Sequence, residues 1–239
     1  MSTPPETPAA PPVLDYDDRG GATYRQDFWE GQGRDYEDHA ERVALRRLLH
    51  PTHGQRLLEL GAGFGRLSPF YTGYQQVILV DYARSQLSEA RQTLGDAGYL
   101  YVAADIYRLP IAEGTCDAAV MVRVLHHFAD VPAALAQIRA TLAPGAVFIL
   151  EFANKRNLKA MLRYALGRQA WSPYEEAPVE FVKLNFDFHP RYIAAALSAV
   201  GFRTTQRLPV SFCGWGCSSE PCRPPGWWGW MRCYSVLVG

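Results

Sequence analysis

Leu57-Leu58-Glu59-Leu60-Gly61-Ala62-Gly63-Phe64-Gly65 ends an apolar run in three alternating glycines led in by an acid. A second apolar run, Val77-Ile78-Leu79-Val80, ends in Asp81, twenty residues beyond Gly61. Buried strands of this kind, one closed by a glycine-rich turn and the next by a carboxylate, build a nucleotide-type pocket. The glycines remove Cβ atoms so that backbone can approach a ligand, and the acid can accept hydrogen bonds from a ribose diol.

Outward from that pair, strands and helices alternate. The pattern predicts a helix over Asp35–Leu49, a strand at Arg56–Leu60 and a helix near Arg66–Thr72. Strand Val77–Val80 and helix Ser85–Leu94 follow, then strands Tyr99–Ala103 and Ala118–Val122, helix Val131–Leu142 and strand Val147–Phe152. Short apolar strands separated by helices imply a doubly wound α/β fold, a mostly parallel sheet covered on both faces. Ligand then belongs outside the carboxyl ends of the strands, where Glu59, Asp81, Asp105, Arg123 and Glu151 stand. Beyond Lys155 a helix at Asn157–Gly167, an aromatic, acidic stretch over Trp171–Pro190, a helix at Tyr192–Val200 and a strand at Phe202–Leu208 are expected.

Bulk properties narrow the function. The chain has 239 residues, 48% of them hydrophobic, with 24 acids against 24 bases, so no overall field draws it to nucleic acid or to an anionic surface. No apolar run approaches the roughly 20 residues that cross a bilayer. Met1–Pro12 holds five prolines and no basic or apolar signal region, and reads as a disordered leader; cytoplasmic residence is the expectation. The expected organisation is a leader over 1–14, an N-terminal helical cap over 15–53, a ligand-binding core over 54–153, a substrate-side insertion and helix over 154–201, and a C-terminal strand and atypical tail over 202–239.

E-L-G-A-G-F-G at 59–65, V-D at 80–81, A-A-D at 103–105 and D-A-A-V-M-V-R-V-L-H-H-F at 117–128, in that order, resemble a class I S-adenosylmethionine-dependent methyltransferase of the small-molecule branch. The resemblance covers Arg56 to Phe152 and implies a Rossmann-like sheet, S-adenosyl-L-methionine as cofactor and a small-molecule acceptor, with no nucleic acid. It further implies that Gly61, Ala62, Gly63 and Gly65 hold the amino-acid end of the cofactor, that Glu59 orients the loop, and that Arg66 meets the cofactor carboxylate. Asp81 would accept both ribose hydroxyls and Tyr82 lie along the adenine. Asp105 would accept from the adenine amino group beside an Ile106 wall, and Arg123 would lie near the methionine portion. His126 and His127 are the leading candidate bases, His189 the third. Aromatic residues on both sides, among them Tyr16, Tyr24, Phe28, Trp29, Trp171, Tyr174 and Phe181, are read as a lid or as ordinary packing. A non-catalytic binding module of the same fold is the alternative. A nicotinamide-dependent oxidoreductase is disfavoured, because G-x-G-x-x-G needs glycine where this chain has Arg66. The acceptor, the atom methylated and the oligomeric state stay open.

From Phe212 the chain turns rich in Trp and Cys, four of each, with no helical or strand period. Two readings compete: a metal site on Cys213, Cys217 and Cys222, and a frame-shifted product. The second is favoured, since G/C-rich codons read one base out of register encode an amphipathic helix like that which the resembled family carries between its last two strands. On that reading the last antiparallel strand of the sheet is missing, or only imitated by Tyr234–Val238, and its neighbour is left as an open edge.

Overall fold

The chain alternates β and α from its centre onward, and strand length and parity set the layers. The computed structural model describes residues 11–13, 24–49, 52–210 and 231–238. In chain order the elements are α1 (Tyr24–Phe28), α2 (Asp35–Leu49), β1 (Gly54–Leu60), β2 (Tyr74–Asp81), α3 (Arg84–Leu94), β3 (Tyr99–Ala103), β4 (Cys116–Met121), α4 (Val131–Thr141), β5 (Leu142–Asn154), α5 (Leu158–Ala165), β6 (Val179–Val182), β7 (Asn185–Asp187), α6 (Pro190–Ala199), β8 (Arg203–Val210) and β9 (Met231–Val238). Seven strands form one sheet in the order β3-β2-β1-β4-β5-β9-β8, the first five parallel.

Successive side chains on a strand point to opposite faces, so each apolar run feeds two cores. Leu58 and Leu60 of β1, Ile78 and Val80 of β2, Ala119 and Met121 of β4 and Phe148 and Leu150 of β5 pack with Leu135 and Ile138 of α4 and Ile193 and Leu197 of α6. Their neighbours Leu57, Val77, Leu79, Ala118, Val120 and Ile149 pack with Leu45 and Leu48 of α2 and Leu87 and Ala90 of α3. The strand order reverses between β1 and β4, and this leaves a crevice at their carboxyl ends.

Three expectations change. The segment near Arg66–Thr72 forms only a 3-10 turn, Ser68–Phe70, because the short span between Gly65 and Tyr74 leaves room for one turn before β2 begins. The aromatic stretch after α5 contains the hairpin β6–β7, turned at Leu184, whose φ of 55° is left-handed. Finally, the sheet does have its last strand: Met231–Val238 runs antiparallel between β5 and β8, pairing residue for residue from Val147↔Val238 to Asn154↔Met231. Backbone ladders are nearly indifferent to side-chain identity, so the Val-Leu-Val end of an atypical tail can fill this slot. The Trp- and Cys-rich stretch over 212–230, with its proposed metal ligands, lies outside the described residues, as does Tyr16.

Candidate functional site

At the carboxyl end of β1 the chain makes a tight loop under β2. The N–H groups of Gly61 and Ala62 both donate to the Val80 carbonyl, at 2.8 and 3.0 Å. Gly61, Gly63 and Gly65 all have positive φ, but they serve different ends. A Cβ on Gly61 would stand 2.2 Å from Val124 Cγ2, so this glycine lets the loop lie against the chain leaving β4. A Cβ on Gly65 would meet Leu94 and Ala90 of α3 instead; that glycine serves helix packing and is not in the cleft lining. Asp81 ties the loop down, accepting from Gly63 N–H at 2.7 Å through one carboxylate oxygen and from Ala83 N–H at 2.9 Å through the other.

A cleft of about 1020 Å3, open to solvent, lies over this loop. Of the expected binding residues, Glu59, Gly61, Ala62, Gly63, Arg66, Asp81, Tyr82, Ile106 and Arg123 line it, together with His127. Tyr24 and Trp29 cover it from the N-terminal side, while Trp171 and Phe181 line a different cavity. Tyr82 is 43% exposed at the edge of the cleft.

Glu59 sits beneath the loop and is buried; its carboxylate accepts from Ser68 Oγ and, at 2.9 Å, from Tyr71 Oη. Burial raises its pKa from 4.5 to about 7, against the opposing pull of those two hydrogen bonds and of Arg66. Because the folded-state value is the higher one, Glu59 stabilises the fold fully below pH 4.5, and this is lost as pH climbs to about 7. The span corresponds to about 3 kcal/mol. Urea unfolding of the wild type and Glu59→Gln across that range is expected to show the variant gaining on the wild type as pH rises; parallel curves would show that the carboxyl group ionises normally.

Two arginines in the cleft wall depart from expectation. Arg66 does not point an open guanidinium at the cleft: it is held by Asp38 and Glu41 of α2 and lies 3.7 Å over the Trp29 ring. Arg123 pairs with Glu37 at 2.9 Å and Glu41 at 3.4 Å, and its backbone N–H donates to Glu151 at 2.6 Å. Its φ of 64° is unusual for a branched-free but bulky residue and marks a backbone held in place by its surroundings. Burial works against both charges, yet the acids facing them, Glu41 first, hold both pKa values above the ordinary arginine value. The helical cap is therefore clamped to the core by ion pairs that roof the cleft. Glu37, Asp38 and Glu41 share one face of α2, and Glu37 and Asp38, as acids in its first turn, read as ordinary dipole partners. Nothing in their spacing couples them to arginines in distant segments.

The three histidines separate. His127 lines the cleft, and its Nδ1 lies 3.1 Å from the Leu184 carbonyl at the turn of the β6–β7 hairpin. The His126 ring lies tilted against that of His127, 3.9 Å between centroids and 46° between planes, and is outside the cleft lining. His189 is buried and caps α6, accepting from Arg191 N–H, and is not among the residues that line the cleft. Asp105 likewise caps the short turn Ile106–Arg108 through Tyr107 N–H at 2.9 Å, and only its neighbours Ala104 and Ile106 reach the cleft. Gln86 of α3, whose side chain closes the floor, carried no signal in the sequence: a polar residue on a helix reads as a solvent face.

Comparison with known proteins agrees with this geometry. Residues 58–150 match a family model described as a methyltransferase domain. Over 113 residues the chain is 31% identical to the malonyl-[acyl-carrier protein] O-methyltransferase of Serratia marcescens, which covers 47% of this chain and 43% of that protein. A demethylmenaquinone methyltransferase from a Parafrankia strain is 26% identical over 84% of this chain and 82% of its own length. The matches to the first curated relatives span only 30–43% of those proteins. Among solved structures, magnesium protoporphyrin IX methyltransferase from Synechocystis, determined with bound SAH, superposes with a TM-score of 0.67 at 18% identity over 93% of this chain and 95% of its own; this likeness shows the fold. Residues 58–150 are thus similar to a methyltransferase domain, and the solved structures share its fold.

Proposed function

We propose that this protein transfers a methyl group from S-adenosylmethionine to a small-molecule acceptor. The observation that carries the reading is the Gly61–Gly63 loop, both glycines at positive φ, fastened by the Asp81 carboxylate in the wall of the cleft. In this reading Asp81 takes the ribose diol, Tyr82 and Ile106 bracket the adenine, and Glu59 and the loop amides meet the amino-acid end. The bound cofactor supplies a methyl group already activated on a sulfonium, so the protein has mainly to align the acceptor and exclude water; proximity of this kind supplies roughly 7–11 kcal/mol in favourable cases. Arg66 and Arg123 serve by holding the roof. A cytoplasmic setting belongs to the same proposal; among the described residues no helix is long and apolar enough to cross a membrane.

His127 is the residue we assign as base. A carbonyl oxygen only accepts, so the contact with Leu184 puts a ring proton on Nδ1, the tautomer in which Nε2 is the basic nitrogen of the neutral ring. An acceptor hydroxyl, or an amine arriving protonated, can lose its proton there as the new bond forms. Turnover can be sought by incubating the protein with methyl-labelled S-adenosylmethionine and metabolite extracts. His127→Gln is then expected to lower kcat by roughly 100-fold or more and to abolish the acidic limb of its pH profile. Cofactor affinity by calorimetry should stay within about twofold, since no ribose or adenine contact is touched. An unchanged kcat would remove His127 from the chemistry. If the wild type ignores S-adenosylmethionine and its demethylated product altogether, the functional reading fails.

A further inference from the structure

Helix α5 presents its apolar face outward. Leu158, Leu162 and the C-terminal cap residue Leu166, spaced i, i+4, i+8, form one stripe and are 62%, 54% and 65% exposed. The buried residue of the helix is Ala160, on the opposite side. A core helix of a globular domain shows the reverse arrangement. Tyr164, Phe181 and Val182 extend the surface, and seven of the eleven large hydrophobic side chains exposed among the described residues fall within 158–182.

Charge follows the same segment. In a chain with equal numbers of acids and bases, residues 155–168 hold five cations and no acid. Lys155 turns inward, its Nζ donating to the Ala177 carbonyl at 2.7 Å. Lys159, Arg163 and Arg168 instead line a cavity of about 950 Å3 between α5 and the β6–β7 hairpin, together with Trp171 and Phe181 and with Asp187 as the acid of the lining. Cations among aromatic residues suit an anionic group carried on an apolar body. Beside them lies the leucine stripe, which suits the apolar body itself.

We propose that this surface docks the protein on an anionic membrane, with a phosphate-bearing lipid headgroup in the Lys159–Arg163–Arg168 cavity and the leucine stripe of α5 in the acyl boundary. An interfacial helix needs this pairing of an apolar face with flanking cations, and neither part alone gives lasting attachment. The inference stands on α5 and its cavity, independent of the cofactor cleft. Taken with the proposed activity, it points to an acceptor that partitions into the bilayer, delivered on the side of the β6–β7 hairpin whose turn touches His127.

The test is flotation of the full chain with vesicles of phosphatidylcholine, with and without phosphatidylglycerol, at low and high salt. Binding is expected only with the anionic lipid and to weaken with salt. Leu162→Glu should reduce it by about tenfold or more. Each of Lys159→Gln and Arg163→Gln should reduce it by about fivefold. Binding of S-adenosylhomocysteine by calorimetry should be unaltered in all three, which verifies their folding and separates this surface from the cofactor reading. Failure of the wild type to float with anionic vesicles would overturn the proposal. So would soluble glycerol phosphate binding as tightly as the vesicles, or a leucine-dependent dimer in light scattering without vesicle binding.

Discussion

Replacing Asp81 with alanine is expected to weaken S-adenosylmethionine binding by roughly 100-fold or more while leaving a folded protein. Hydrogen bonds to a charged group contribute about 1.5–3 kcal/mol each, and the proposed diol contact makes two of them. The variant also frees Gly63 N–H and Ala83 N–H, so the glycine loop loses its anchor to the end of β2. Asp81→Asn separates these effects. Its carbonyl oxygen still accepts from one of the two amides, but it offers fewer acceptors and no charge; an intermediate loss of about tenfold is expected. Calorimetry with the cofactor and its demethylated product measures both, and thermal unfolding shows whether the loop anchor also stabilises the fold. Affinity undiminished in Asp81→Ala would mean that the ligand does not lie across β1 and β2. Asp105→Ala makes the contrast, because Asp105 caps the turn at Ile106–Arg108 outside the cleft lining and should matter little for affinity.

What the sequence disclosed and what it concealed divide along one physical line. Period-2 apolar runs, the glycines and the strand-end acid are local signals, each set by backbone geometry within a few residues, and they place the sheet, the loop and Asp81. The parity of Leu57 and Leu58 onto two different cores follows from the same rule. Side-chain partners across long separations leave no such trace. Arg66 and Arg123 were sensible ligand-binding candidates by position, yet their charges belong to Glu37, Asp38 and Glu41 on a helix that precedes the core. Asp105 and His189 carry residue types that serve caps as readily as chemistry, and only the backbone N–H groups they accept from decide between the two. Composition of the tail leaves the last strand open between missing and imitated by Tyr234–Val238; Met231–Val238 fills the slot, since sheet closure asks for little more than an extended segment able to pair on both sides.

The clamp between α2 and the core makes the other large effect. Glu41 is 2% exposed and accepts from both Arg66 and Arg123, so Glu41→Ala leaves two buried guanidiniums sharing Asp38 and Glu37. Removing one partner of a buried pair costs about 3–5 kcal/mol, a large part of the 5–15 kcal/mol that holds a typical domain. A fall in Tm of roughly 10 °C follows for a chain of this size. Arg66→Ala should cost less, because the Glu41 carboxylate keeps Arg123 as a partner. The double variant is expected to be less destabilised than the sum, with a coupling of about 0.5–3 kcal/mol, since neither charge is then left against a missing partner. Stability alone would only make the pairs structural. The functional claim lies in what they carry: Arg66 is stacked on Trp29, and both residues, with Tyr24, wall the cleft. At a temperature where Glu41→Ala is still folded, its cofactor affinity should therefore drop as well, because the roof is released before the sheet is. If affinity in that variant matches the wild type although Tm has fallen, α2 is a brace for the sheet and has no part in closing the site.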